Sequence, residues 1–120
     1  MQQLMDAVEI ACVEFPDMNA EFTWQGIKRH PSVRFDLDLG PRSPARGDGT
    51  ITIVDYGPDG SLFGLPAVRP RQTAALRVGA VRDGAAWIAL SVDHRAVDGA
   101  VAGRFLSLVK NAIESRGRTT

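Results

Sequence analysis

Hydrophobic residues recur at helical spacing in two segments of the sequence. In the first, apolar side chains return every three or four residues from Leu4 to Phe15, and Pro16 predicts the end of that helix. In the second, which follows Gly99, the same period runs through Val101, Phe105, Leu108, Val109 and Ala112. We therefore predict two amphipathic helices, separated by about eighty residues of different character.

Alternating apolar and polar residues between these helices predict strands. The predicted extended segments are 22–27, 33–39, 50–55, 74–81 and 86–92. We expect the first two to pair across Lys28–Pro31, and Arg82-Asp83-Gly84 to form the tight turn of a hairpin between the last two. Segments 40–49 and 57–60, rich in proline and glycine, are predicted to be a loop and a turn. Several antiparallel strands with two helices indicate an α+β sandwich.

Composition narrows the possible functions. The 120 residues, 44% of them hydrophobic, predict one domain spanning 1–120. Fourteen basic and fourteen acidic residues leave no net charge, so binding to nucleic acid or to an anionic membrane is not expected. We find no metal-ligand spacing, no secretory signal and no long apolar run, and we expect a cytoplasmic protein. The single cysteine, Cys12, lies on the apolar face of the first helix and is expected to be buried and unpaired.

The segment most indicative of chemistry is Asp93-His94-Arg95-Ala96-Val97-Asp98-Gly99. The preceding strand alternates so that Ile88, Leu90 and Val92 share a face with His94, which predicts an imidazole at the end of a core-facing stripe. A histidine at a strand end is well placed to act as a general base. The alternative is a histidine buried in the core with its hydrogen bonds satisfied.

Residues 90–106 resemble the end of the catalytic domain of the dihydrolipoamide acyltransferases, the E2 components of 2-oxoacid dehydrogenase complexes. The shared motif is D-H-R-x-x-D-G; its core, H-x-x-x-D-G, also occurs in chloramphenicol acetyltransferase and in nonribosomal condensation domains. Segments 15–20, 33–39, 49–57 and 65–79 extend the resemblance upstream in the same order.

The resemblance implies a chloramphenicol acetyltransferase-like two-layer sandwich with an antiparallel or mixed sheet flanked by helices. The resemblance also implies that this chain is a shortened version of the family's catalytic domain. The family has a long central stretch that contributes to the pocket for coenzyme A and lipoamide, and here only residues 40–49 stand in its place.

The resemblance assigns roles to individual residues. It makes His94 the base and Asp98 mainly an organiser of the turn, while Gly99 is expected to tolerate the backbone geometry at the helix entry. Independently of the resemblance, we expect Arg95 to pair with a carboxylate, in its own chain or across a subunit boundary, or to be solvated at the surface. The family serine that stabilises the oxyanion falls on Val54, which has no donor. The remaining hydroxyl candidate is Thr52, on the same strand face.

Three classes of function are consistent with the sequence. The first is an acyltransferase that uses His94 on a thioester or hydroxyl substrate, with coenzyme A or an acyl-carrier thioester as substrate and no tightly bound cofactor. The second is a repurposed enzyme of bacterial biosynthesis that catalyses a cyclisation, elimination or isomerisation. The third is a non-catalytic scaffold. Because the family forms its active site between subunits, each class is expected to be a homotrimer.

Overall fold

The computed structural model of the protein describes the backbone of residues 1–119 and the side chains of residues 1–115. In chain order, the helices and strands are α1 (Gln2–Glu14), β1 (Ala20–Thr23), β2 (Gly26–Arg29), β3 (Phe35–Asp38), β4 (Ile51–Asp55), β5 (Ala74–Val78), β6 (Ile88–Val92) and α2 (Gly99–Thr119). Two single 3₁₀ turns, Pro16–Met18 and Gly57–Asp59, lie between them. The α+β class predicted from the sequence is confirmed.

The main sheet has the order β3-β4-β5-β6. The first two pairings are parallel and the last is antiparallel, so the sheet is mixed. Strand β4 has a neighbour at each edge, and both of its faces are covered, since residues Ile51 to Val54 are all buried. Strands β3 and β6 form the free edges of this sheet.

One face of the sheet packs against α1 and α2. Alternation along the strands directs Ile51, Ile53 and Leu76 to this face, where they meet Val8 of α1 and Phe105 of α2. All five are fully buried, and each contributes about 1.5–3 kcal/mol by leaving water. Cys12 is also buried here, as expected, and burial together with the nearby Glu9 raises the pKa of its thiol to about 12.

Loops cover the opposite face, which carries the polar residues of the same strands. The carboxylate of Asp36 accepts hydrogen bonds from the backbone N–H groups of Arg46 and Gly47. Thr52 Oγ1 donates to Gln72 Oε1 over 2.8 Å, and Gln72 Nε2 donates to the carbonyl of Gly49 over 3.0 Å. The segments before and after β4 are thereby held against this face.

The predicted pairing of 22–27 with 33–39 is wrong. Instead β1 and β2 form a short hairpin of their own, turning at Trp24 and Gln25. Thr23 stabilises this turn, because its hydroxyl donates to the carbonyl of Gly26 and accepts from the N–H of Gln25. Strand β3 pairs with β4 in parallel, since residues 39–50 are long enough to return the chain to the same end of the sheet.

The predicted hairpin turn at residues 82–84 is confirmed. Asp83 and Gly84 both have positive φ, 53° and 77°, and the flanking Arg82 and Ala85 form a bridge. Two adjacent residues with positive φ are the signature of a tight turn between antiparallel strands. Strands β5 and β6 are three and two residues shorter than the predicted segments, respectively.

No helix within residues 1–119 is long and apolar enough to cross a membrane. Within the same residues, no group of three or more histidine, cysteine, aspartate or glutamate side chains could hold a metal ion.

Candidate active site

The D-H-R-x-x-D-G motif forms the connection between β6 and α2. Its first residue remains attached to the sheet, because Asp93 N–H donates to the carbonyl of Thr73 over 2.8 Å. The Asp93 carbonyl then accepts the N–H groups of Ala96 and Val97, both over 3.0 Å, which closes a turn. Val97 is only 2% exposed and inserts into the core. The turn is therefore fixed to the sheet at its start and to the core at its end.

His94 lies within this turn and is exposed to solvent. The expectation that its imidazole continues the core-facing stripe is wrong, because β6 ends at Val92 and the chain turns before the alternation reaches residue 94. Ile88, Leu90 and Val92 do pack against the core, as predicted. Among the described residues, no hydrogen-bond partner of the imidazole is found.

Arg95 pairs with a carboxylate of its own chain, which is one of the alternatives predicted from the sequence. Its Nε and Nη2 donate to the two oxygens of Asp93 over 3.0 and 2.7 Å. The guanidinium also lies 4.6 Å from the centre of the Phe22 ring. The Arg95 hydrogen bonds hold the pKa of Asp93 below its usual value. This pair links the turn to the β1–β2 hairpin.

Asp98 caps the first turn of α2. Its Oδ1 accepts the N–H of Val101 over 2.8 Å, and its carbonyl accepts the N–H of Ala102 over 3.0 Å. The expected organising role is therefore visible as a hydrogen bond at the helix start. Gly99 does not fit its expected role, because its φ is not positive and a Cβ added there would meet nothing within 4 Å.

The two β4 residues assigned by the sequence lie under the loops of the second face. Thr52 is fully buried, and its hydroxyl donates a hydrogen bond to Gln72. Val54 is 7% exposed. It is opposite Asp38 on β3 and Arg77 on β5, and residues in register on neighbouring strands share a face. Two charged side chains therefore flank the position of the family serine.

These two side chains belong to a polar group, here called the arginine cluster, that sequence reasoning missed. Its members are Asp38, Tyr56, Ser61, Arg69 and Arg77. Tyr56 donates its hydroxyl to Asp38 over 3.1 Å, which raises the pKa of the tyrosine. Arg69 donates to the other Asp38 oxygen over 3.3 Å.

Arg77 completes the arginine cluster. Its guanidinium lies 4.9 Å from the centre of the Tyr56 ring and donates to Ser61 Oγ over 3.0 Å. An arginine in an otherwise apolar strand was the available sequence signal for this group. The residues it contacts, Tyr56, Ser61 and Gly64, lie in the segment after β4, whose path the local sequence pattern does not predict.

The candidate residues form two separate groups in one chain. Position 54 is in register with Arg77, which is in register with Ala89, and His94 follows Ala89 by five residues. Strand β6 ends at Val92, three residues past Ala89, so at about 3.3 Å per residue the turn that carries His94 begins roughly 10 Å from position 54 along the strand direction. Two strand spacings of about 4.8 Å each also separate β4 from β6. A single chain does not bring the histidine and the family serine position together.

Comparison with known proteins identifies the family. The family described as 2-oxoacid dehydrogenases acyltransferase (catalytic domain) matches residues 45–119. The chain belongs to this acyltransferase family. Over 83 aligned residues it is 35% identical to the dihydrolipoyllysine-residue acetyltransferase component of the pyruvate dehydrogenase complex of Mycobacterium tuberculosis. Over 78 residues it is 38% identical to the mouse mitochondrial dihydrolipoyllysine-residue succinyltransferase component of the 2-oxoglutarate dehydrogenase complex.

Each of these two alignments covers 55% of this family member, but only 15% and 17% of the respective relatives. The chain thus matches less than a fifth of the length of either curated relative. The acyltransferase family assignment applies to the catalytic-domain sequence and does not carry over what the remainder of those proteins does.

Solved structures confirm the fold. A probable dihydrolipoamide acetyltransferase from Listeria monocytogenes superposes with a TM-score of 0.76 at 22% identity, covering 94% of this acyltransferase-family chain and 69% of that one. The Azotobacter vinelandii dihydrolipoamide acetyltransferase gives 0.72 at 20% identity, covering 98% and 69%. Chloramphenicol acetyltransferase gives 0.61 at 13%, covering 92% and 76%. The predicted chloramphenicol acetyltransferase-like fold is confirmed.

The Azotobacter enzyme also supplies a comparison of residue types. Its catalytic mechanism has been investigated through one serine, one histidine and one asparagine, the asparagine four positions after the histidine. In the acyltransferase-family chain described here, Asp98 follows His94 by the same four positions.

Proposed function

We propose that residues 1–120 form one shortened acyltransferase domain that moves an acyl group from a thioester to a thiol or hydroxyl acceptor, with His94 as general base. The observation that carries the proposal is the motif turn itself. It presents an exposed imidazole, without a hydrogen-bond partner among the described residues, from a backbone fixed at both ends. The same four-residue spacing of a histidine and a polar residue in the Azotobacter enzyme supports it. Coenzyme A or an acyl carrier would be the thiol component of the substrate.

The reaction follows from general acid and base chemistry. Neutral His94 accepts the proton of the acceptor S–H or O–H group, and the resulting nucleophile adds to the thioester carbonyl. The tetrahedral intermediate then collapses, the bond from carbon to the original sulfur breaks, and the imidazolium returns its proton to the departing thiolate. No oxidant or reductant is required.

We further propose that the site is completed by a second copy of the chain in a homotrimer. The separation of His94 from Val54 supports this, because the two groups fit one site only if they come from different subunits. Free sheet edges at β3 and β6 and exposed apolar side chains offer surfaces for such assembly. The most exposed of these side chains are Trp24 at 92%, Val13 at 85%, Leu65 and Val81 at 71%, and Trp87 at 67%.

Substitution of His94 tests the catalytic proposal. Because the imidazole is exposed, His94→Ala is expected to leave the melting temperature unchanged and to lower turnover by roughly a hundred- to ten-thousandfold. Acyl transfer from acetyl-CoA or succinyl-CoA to dihydrolipoamide, followed as loss of the thioester, measures the effect. His30→Ala, which removes the other histidine, is the matched control and should retain turnover.

One observation favours a second function. Val54 replaces the oxyanion donor, and loss of such a donor typically lowers the rate a hundred- to thousandfold. A cyclisation, elimination or isomerisation with His94 as base would not need that hydroxyl in the same role. Absence of acyl transfer, together with a pathway reaction that depends on His94, would select this function. Full pathway activity in His94→Ala would instead select a non-catalytic scaffold.

A further inference from the structure

Arg77 brings a positive charge next to the position where the family has its oxyanion serine. It is opposite Val54 in the parallel register of β4 and β5, so both side chains leave the same face of the sheet. The guanidinium is held in place from three sides. Ser61 accepts its Nη2 hydrogen bond, Tyr56 lies under it, and Gly64 is so close that a Cβ there would be 2.5 Å from Cζ.

The arginine cluster carries more positive than negative charge, and it has more hydrogen-bond donors than acceptors. It contains two guanidinium groups and one carboxylate, and that carboxylate already accepts hydrogen bonds from Arg69 and Tyr56. The Nε atoms of Arg69 and Arg77 are buried without a hydrogen-bond partner. Nη1 of Arg77 makes no hydrogen bond with the described residues and, unlike Nε, is not among the buried atoms. The cluster therefore presents an unpaired cationic donor.

We infer that Arg77 binds a carboxylate at the far end of the acyl group, so that the enzyme prefers acyl thioesters that carry a second, ionised acid group. This inference rests on the proposed acyl transfer, which places the thioester carbonyl near position 54. Guanidinium and carboxylate groups match in charge and planar geometry, and their hydrogen bonds are among the stronger ones in proteins. Arg77 is accordingly a specificity residue, and Ser61 and Gly64 position it.

The location of the arginine cluster favours a carboxylate over a phosphate of coenzyme A. The Arg77 guanidinium lies over the ring of Tyr56. Tyr56 follows position 54 by two residues, or roughly 6.7 Å along the chain. A carboxylate two or three carbons from the thioester carbonyl fits that short distance. The coenzyme A phosphates are separated from the thioester by the whole pantetheine arm.

Succinyl-CoA and butyryl-CoA provide the test, because both have four-carbon acyl groups. The succinyl group ends in a carboxylate, whereas the butyryl group ends in a methyl group. With dihydrolipoamide as acceptor, the wild type should show a higher kcat/KM for succinyl-CoA. Arg77→Met should lower the succinyl to butyryl ratio by roughly ten- to a hundredfold. Arg77→Lys should retain part of the preference, and Arg104→Met, which removes an exposed arginine on α2, should retain all of it.

Gly64→Ala provides a second variant that leaves Arg77 in the sequence. The added methyl would displace the flexible end of the Arg77 side chain and leave the backbone in place, so the fold should persist while the preference falls. An unchanged ratio in Arg77→Met, with the circular dichroism spectrum of the wild type, would overturn the inference.

Equilibrium binding separates this inference from the proposed function. Calorimetric titration of the wild type and Arg77→Met with succinyl-CoA, butyryl-CoA and coenzyme A needs no turnover. Tighter binding of succinyl-CoA that is lost in Arg77→Met supports a carboxylate site even if no acyl transfer is detected. Equal loss of affinity for all three ligands would assign Arg77 to the phosphates and overturn the carboxylate site.

Discussion

The environment of position 54 determines much of the chemistry available to this chain. Val54 lies between an acid on one neighbouring strand and an arginine on the other, and that acid accepts a hydrogen bond from Tyr56. A hydroxyl placed there would have both an acceptor and a donor in its vicinity. The structure therefore offers a place for the missing serine that requires no rearrangement of the sheet.

Val54→Ser should increase thioester transfer, by up to roughly a hundredfold, if the chain is an acyltransferase that lacks an oxyanion donor. The measurement is kcat for succinyl-CoA with dihydrolipoamide as acceptor. Val54→Ala is the matched control, since it loses a similar apolar volume without supplying a hydroxyl. Equal rates in the two variants would argue against oxyanion stabilisation from this position.

The Asp93–Arg95 pair gives a prediction with a defined pH dependence. The pKa of Asp93 is lowered in the folded protein, so its contribution to stability is fully present above its unfolded pKa near 4 and is lost as the pH falls through the lower folded value. Arg95→Met should lower the free energy of unfolding at pH 7, because it removes both the ion pair with Asp93 and the contact with the Phe22 ring.

The difference in free energy of unfolding between the wild type and Arg95→Met should narrow as the pH falls below about 4. The part that remains is due to the Phe22 contact, which does not depend on Asp93. Urea unfolding at pH 7 and pH 3 measures both values. In Arg104→Met, whose arginine is exposed on α2 and outside the turn, the difference from the wild type should not depend on pH in this range. A constant Arg95→Met effect across the range would show that Asp93 is not the stabilising partner.

Secondary structure elements, in contrast to single side chains, were largely predictable from the periodicity of the sequence. Both helices and the 82–84 turn follow from local spacing and from a dipeptide that adopts positive φ. The pairing of β3 was not predictable, because a strand with one apolar face fits either an adjacent hairpin or a distant parallel partner. His94 was identifiable from its motif, but its exposure depends on where β6 ends, which alternation alone does not fix.

The N-terminal cap of α2 joins the D-H-R-x-x-D-G motif to that helix. Asp98→Ala removes the acceptor of the Val101 N–H and should destabilise the fold by about 1 kcal/mol. For a chain of this size, that corresponds to a fall in melting temperature of roughly 3–6 °C. Asp98→Asn keeps a side-chain oxygen for the cap and should melt close to the wild type. Equal melting temperatures for all three proteins would show that the cap does not contribute.

At the scale of the whole molecule, the proposed site requires more than one chain. Light scattering should give a mass three times that of one chain at micromolar concentration, and a monomer would contradict the proposed trimer. Assemblies that contain both His94→Ala and Arg77→Met chains give a sharper result. They contain boundaries where intact His94 of one chain meets intact Arg77 of another.

Mixed assemblies, isolated through two different affinity tags, should therefore transfer succinyl groups faster than either variant alone. If each site were contained in one chain, the mixture would not exceed Arg77→Met by itself. The comparison is made at equal total protein, and assemblies of doubly tagged wild type set the upper limit.

The packing of α1 against α2 has a consequence for how the chain folds. The two helices cover the same face of the sheet, yet residues 15–98 separate them in the sequence. During synthesis, the apolar face of β4 and β5 consequently lacks the cover of α2 until that helix has left the ribosome. The late closure of such distant contacts slows folding and lengthens the period in which unpaired strand edges can meet other nascent chains. We therefore expect a newly made chain to expose this apolar face for longer than it would if the two helices were neighbours in the sequence.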